Sequence, residues 1–319
     1  MSRFPTPRPT VGSRIYRAHG LGNDYLVVAE GDAWRLDPEA VRCVCDRNEG
    51  VGGDGIVAVS SPDAAEPYRL RMFNPDGSEF ERSGNGLRVA ASWLHRTGRT
   101  PSGQPYRVEV GGEVVRMETH DRTPDGRFDV SVAMGRASVG EEAIRLAALS
   151  DDALAPDAPM GADGWLETAS TGPLPVHIVW VGNPHCVVFV GALGDEAGRT
   201  ACFSEEALRR MGPGLATHPG FANGCNVQLA RVNDDGEIDI RIWERGAGPT
   251  RASGTSSCAV AVAAVASGRR PAGDVTVRMP GGLLQIHVTE GLDVTLRGPV
   301  QEVCEIDLTD GFLRTLADS

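Results

Sequence analysis

The sequence predicts an α/β protein of two pseudo-symmetric halves, each a mostly antiparallel sheet or barrel wrapped around one central helix, with the functional site in the cleft between them. Three observations carry this expectation. The segment RMFNPDGSEFERSGNGLRVAASWLHRTGR (Arg71 to Arg99) is matched without a gap by RIWERGAGPTRASGTSSCAVAVAAVASGR (Arg241 to Arg269), each placing a serine before a glycine-containing helix start. Such register over a whole segment is the mark of a duplicated unit. The run CAVAVAAVA after Ser253 is apolar nearly all round, so its helix must be enclosed by sheet rather than lie on a surface. Finally, 40 glycines and 21 prolines punctuate short apolar runs, as expected of many turns between short elements.

Along the chain, the Pro-rich start is expected to be loosely held, with folded structure from about Arg14. IYRAHG and YLVVAE read as a strand pair around Gly-Leu-Gly-Asn-Asp. Pro38 to Cys45 reads as a short helix because Ala40, Val41 and Val44 share a face. GIVAVS and YRLRMFN follow as strands. Leu87, Ala90, Ala91 and Leu94 then recur at i, i+3, i+4 and i+7, one buried helix face ending at Gly98. YRVEVGGEVVRMETH and FDVSVAM close the first half. The expected domains are residues 1–136, with 303–319 packing back on them, and 137–302.

The second half opens with an acidic, turn-rich insertion from Asp151 to Gly164. Strands are expected in PVHIVWVGNPHCVVFV and CNVQLARV, a surface helix over Ser204 to Met211, and strands again in VTVRMP, LLQIHVT and LDVTLRG. FLRTLADS caps the molecule. A second echo supports the duplication, since GLGNDYLVV and WVGNPHCVVFV both place Gly-Asn ahead of an apolar strand, making Asn23 and Asn183 comparable.

Composition bounds the function. A formal charge of −12 over 319 residues repels nucleic acid and anionic membrane surfaces. No run of eighteen apolar residues and no apolar leader region is present, so a cytoplasmic protein with no nucleic-acid or membrane partner is expected. Seven irregularly spaced cysteines argue for buried, reduced thiols, and Cys43-Val44-Cys45 is too tight for a zinc or redox pair, so no metal is expected.

The two serine-led helix starts suit anions. Free N–H groups of Gly84, Asn85 and Gly86, and of Gly254, Thr255 and Ser256, can each receive a carboxylate at the positive end of a helix. The alternative is that both motifs are only helix caps.

The motifs GNDYLVV, CDRNEGVGGDG, FNPDGSEFERSGNG, GNPHCV, NGCNV, ERGAGPT, ASGTSSCA and PGG at Pro280 occur in order over nearly the whole chain. Together they resemble the diaminopimelate epimerase family. The resemblance implies epimerisation of LL- to meso-diaminopimelate in lysine biosynthesis by two-base proton transfer at Cα, with no pyridoxal cofactor and no metal. Its substrate is an amino acid with a distal carboxylate, and the resemblance makes a homodimer plausible. The family's two catalytic cysteines map onto Ser83 and Ser253. A thiol titrates near pH 8.5, whereas a serine alkoxide is far less accessible, so severely reduced epimerisation is expected.

The same resemblance implies that Asn23, Asn74, Asn183 and Asn226 present amides to the amino and carboxyl groups. It implies that Glu244 and Arg245 engage the amino group and distal carboxylate, and that Gly84, Asn85, Gly254 and Thr255 cradle the α-carboxylate. Alternatives stay open at several positions: Asn74 as a turn residue, Arg245 as a surface ion-pair partner, Asn226 as a buried structural hydrogen bond. His185 is either a substitute base or a residue that orients the site. Asp76 and Glu79 are further candidate bases, while Cys258 has a position typical of core packing. Pro249-Thr250 departs from the family's Glu-Thr and alters the loop before Ser253. Two other functions compete with epimerisation: an amino-acid-binding homologue without turnover, and an isomerase or dehydratase using a non-thiol base.

Overall fold

The protein is described by a computed structural model over residues 10–60, 66–80, 82–149, 165–168, 172–192 and 202–318. The insertion expected at Asp151 to Gly164 and the first nine residues lie outside the described residues. The chain divides into two units, Met1–Val132 with Gly298–Ser319, and Ala133–Arg297.

In the first unit, Thr10–Gly20 and Asn23–Glu30 form an antiparallel hairpin with Gly20 opposite Asn23. The strand begins at Thr10 rather than Arg14. The two-residue loop, Leu21 and Gly22, has φ of 58° and 94°, as a turn matching the right-handed twist of the strands requires. From Asn23–Glu30 the sheet continues parallel to Ile56–Ser60, antiparallel to Tyr68–Phe73, parallel to Pro105–Val110, then antiparallel to Glu113–Thr119 and Phe128–Arg136.

The second unit repeats this sequence of pairings. His177–Trp180 is antiparallel to Pro184–Phe189, which is parallel to Asn226–Val232, antiparallel to Ile238–Glu244, parallel to Gly273–Met279, then antiparallel through Gly282–Val288 to Asp293–Asp307. A short hairpin strand, Glu79–Phe80 or Gly248–Thr250, sits beside the fourth strand of each series. The duplication legible in the sequence is therefore a duplication of topology, mostly antiparallel, with parallel pairings where the chain crosses over.

Each unit wraps its sheet around one helix, Gly84–Arg96 in the first and Gly254–Ala266 in the second. The second is apolar on every side and its residues Ser256 to Ala264 are buried, as its composition predicts. The first departs from the one-sided reading: residues 84–92 and Leu94 are all buried, including Asn85, Arg88 and Ser92. The polar residues there are enclosed and hydrogen-bonded, Ser92 to Tyr16 at 3.0 Å and Arg88 to Asn85.

A further helix covers the outer face in each unit. Pro38–Cys45, capped by Asp37, packs Ala40, Val41 and Val44 into a core with Ile15, Leu26, Trp34 and Leu316 of the C-terminal helix Asp310–Asp318. In the second unit Glu205–Ala216 buries Leu208, Met211 and Leu215 against Cys186, Val188 and Val227. It runs five residues beyond the expected Met211, and its approach is close: a Cβ on Gly212 would lie 2.8 Å from the Trp243 ring.

All seven cysteines are free. Cys45, Cys186, Cys225 and Cys258 are buried as expected, with Cys258 in the core of its helix. The expectation fails for Cys304, which is exposed, and for the half-buried Cys43 and Cys202. No helix among the described residues is long and apolar enough to cross a membrane.

Candidate functional site

Ser83 and Ser253 are the N-caps of the two central helices. The Ser83 hydroxyl accepts from the Gly86 N–H at 3.1 Å, and that of Ser253 from the Ser256 N–H at 3.5 Å. Each serine N–H points at a thioether, Met72 Sδ at 3.3 Å and Met279 Sδ at 3.4 Å. Gly84 and Asn85, and Gly254 and Thr255, occupy the first turn, where helix geometry leaves backbone N–H groups without an intrahelical acceptor. The cap reading and the anion reading are thus compatible, because the side chain uses one donor and leaves others.

In the first unit the candidate residues are locked to one another. Asn85 Nδ2 donates to both the backbone oxygen and Oδ1 of Asn23, each at 2.7 Å. Arg88, only 2% exposed, donates to Asn85 Oδ1 at 3.0 Å. Asn23 Nδ2 in turn donates to Asp54 Oδ2 at 2.8 Å. Arg47 bridges Asp54 and Asp24 at 2.7 Å each, and Arg17 closes on Asp24 at 2.6 Å. Burial pushes the Asp24 carboxyl up, but the hydrogen bonds from Arg47 and Arg17 outweigh it and hold the group below the usual carboxylate range.

Asn74 lies in the FNPDGS turn. Its Nδ2 donates to Ser78 Oγ at 2.9 Å, its N–H to Ser78 O, and Gly77, with φ of 85°, supplies the left-handed residue. Asp76 and Glu79 do not stand as candidate bases. Asp76 Oδ1 accepts from the Ser78 N–H and hydroxyl, which lower its pKa, and Glu79 forms a two-bond pair with Arg71 at 2.8 and 2.6 Å.

In the second unit, the Glu244 carboxyl is largely buried near Ser253. Burial raises its carboxyl pKa, and the neighbouring Ser253 partly opposes this. Asn226 is buried at the start of its strand, with Oδ1 accepting the Arg245 N–H at 2.9 Å. The Arg245 guanidinium is exposed and donates to Asn223 O at 2.8 Å rather than to a surface acid. Pro249 pairs opposite Trp243 in the short strand before Ser253.

His185 requires a correction. Instead of facing the site as a base, it is fully buried, with Nε2 2.7 Å from Asn183 Oδ1 and Nδ1 3.0 Å from Gln228 Nε2. Burial pushes its pKa down to about 3, so the ring is neutral and both nitrogens are occupied. Gln228 continues to Ser256 Oγ at 3.0 Å, reaching the first turn of the helix that Ser253 caps. Gln228, Arg88, Arg47 and Asp54 have no role in the sequence reading, and Ser256 enters it only through its backbone N–H. Their signal was a polar side chain inside an apolar run, as in NVQLARV, or a charge pair within CDRNEGVGGDG. Among the described residues, no group of three or more His, Cys, Asp or Glu is placed to hold a metal ion.

The model of the diaminopimelate epimerase family matches residues 15–140 and 177–303, spanning both serine-capped helices. The chain belongs to this family. A diaminopimelate epimerase of Desulforudis audaxviator is 40% identical over 291 residues, covering 90% of this chain and 96% of that protein. Diaminopimelate epimerase 2 of Nostoc sp. is 34% identical over 297 residues, covering 93% and 95%.

Solved structures share the fold at low identity. A probable proline racemase from Agrobacterium radiobacter superposes with a TM-score of 0.63 at 16% identity, covering 94% of this chain and 93% of that one. A hydroxyproline epimerase from Agrobacterium vitis gives 0.60 at 14%, covering 96% and 98%. The chain therefore shares the fold of these two proteins, with two pseudo-symmetric units and a central helix in each.

Proposed function

We propose that the chain handles the Cα proton of an amino acid with a distal carboxylate, as in the interconversion of LL- and meso-diaminopimelate, without a pyridoxal cofactor. The observation that carries this reading is the pair of equivalent helix starts, each with a serine at the cap and first-turn N–H groups able to receive a carboxylate. Ser83 and Ser253 stand at the positions where the family's thiols act. Neither hydroxyl ionises readily at neutral pH, so interconversion is far slower than with two thiols. Incubation with each isomer in D₂O, read by NMR and chiral separation, tests this. Deuteration and interconversion at the rate of a two-thiol enzyme would refute the slow step. Failure to bind either isomer would refute the substrate class.

A second reading is favoured by Glu244. The Glu244 carboxyl lies near Ser253, which favours its ionised form, whereas the Ser83 hydroxyl meets the Gly86 N–H. A proton taken by the Ser253 and Glu244 pair would return from the same pair, giving exchange with retention in one isomer only. Deuteration of both isomers would exclude it.

A further inference from the structure

Gln228 lies in the strand Asn226–Val232, between Val227 and Leu229, and is fully buried. Burying an amide is costly unless its hydrogen bonds are made, so its placement calls for a reason. Its oxygen supplies none, since Oε1 has no hydrogen-bond partner. Its nitrogen supplies two, to His185 Nδ1 and Ser256 Oγ, each at 3.0 Å.

We infer that Gln228 is a positioning residue that sets the tautomer of His185 and, through it, turns the NH₂ of Asn183 outward to read a substrate carboxylate. An amide nitrogen only donates, so His185 Nδ1 must accept and carry no proton. The single proton of a neutral ring then sits on Nε2, which donates to Asn183 Oδ1 at 2.7 Å. That capture of the carbonyl oxygen leaves Nδ2 as the free end of Asn183. A donor there matches a carboxylate and opposes an ammonium. The burial that holds His185 neutral keeps the arrangement from changing across the physiological range. Asn23 in the first unit is oriented with the same polarity by a shorter device, its Oδ1 receiving Asn85 Nδ2 directly. The carboxylate assignment rests on the proposed amino-acid substrate, while the tautomer does not.

The test uses the intact chain labelled with ¹⁵N-histidine. In the wild type, His185 is expected to show a protonated Nε2 and a bare Nδ1 from pH 5 to 8. Gln228→Leu removes the donor at similar volume, and is expected to populate the Nδ1–H form and to weaken meso-diaminopimelate binding about tenfold by calorimetry, the order of one lost hydrogen bond. A wild-type proton on Nδ1 overturns the inference, even if the variant fails to fold. So does a folded variant that keeps both tautomer and affinity. The expected tautomer in a wild type that binds no diaminopimelate removes the substrate reading and leaves the control of His185 by Gln228 intact.

Discussion

A Cβ placed on Gly20 would lie 1.9 Å from Asn85 Oδ1 and 2.5 Å from Arg88 Nη2. The hairpin end and the first turn of the central helix are thus in direct contact, with no room for a methyl group between them. The closeness is what lets Asn85 reach Asn23, the residue opposite Gly20 in the hairpin. Gly20→Ala is expected to destabilise the protein by about 1–3 kcal/mol, the usual range for overpacking. Urea titration measures this, and an unchanged midpoint would contradict the contact.

On the proposed function, the serines are the positions to change for activity. Ser83→Cys with Ser253→Cys is expected to raise interconversion of LL- and meso-diaminopimelate by about 100-fold or more, the scale of a general acid–base contribution. Chiral chromatography of timed samples follows it. A double variant no faster than the parent would mean that these helix starts do not face the reacting carbon.

Glu244 should reveal itself through pH. Its carboxyl pKa is raised by burial, with the neighbouring Ser253 opposing, so folding disfavours the ionised form. The stability contributed by that neutral form is complete below the unfolded value of about 4.3 and is lost as pH rises through the higher folded value. Glu244→Gln keeps the shape of the side chain without the charge. Its melting temperature is expected to equal the wild type's near pH 4 and exceed it at pH 8. Equal shifts at both pH values would rule out a desolvated carboxylate.

His185 gives the opposite slope. Its folded pKa of about 3 lies below the unfolded value of about 6.5, so the unfolded chain binds the proton first and stability falls as pH drops between the two. His185→Gln is expected to flatten the dependence of melting temperature on pH between 4 and 6.5. Parallel curves for variant and wild type would show that the imidazole is accessible to solvent.

The sequence by itself determined the duplicated organisation, the two serine caps and the family. All three are local or periodic properties: an ungapped register, a Ser-Gly helix start, and an apolar run too uniform for a surface helix. It also marked Asn23 and Asn183 as counterparts, because Gly-Asn precedes an apolar strand in both. Only the tertiary structure decided what these groups do next to one another. His185 reads as a candidate base in GNPHCV, yet its burial against Gln228 makes it a neutral link. Glu244 reads as a substrate contact, and burial raises its carboxyl pKa beside Ser253. Asp76 and Glu79 read as candidate bases, yet one holds a turn and the other holds Arg71. The physical reason is common to these cases. A proton affinity depends on burial and on partners brought from distant strands, and neither burial nor such partners can be counted along a chain.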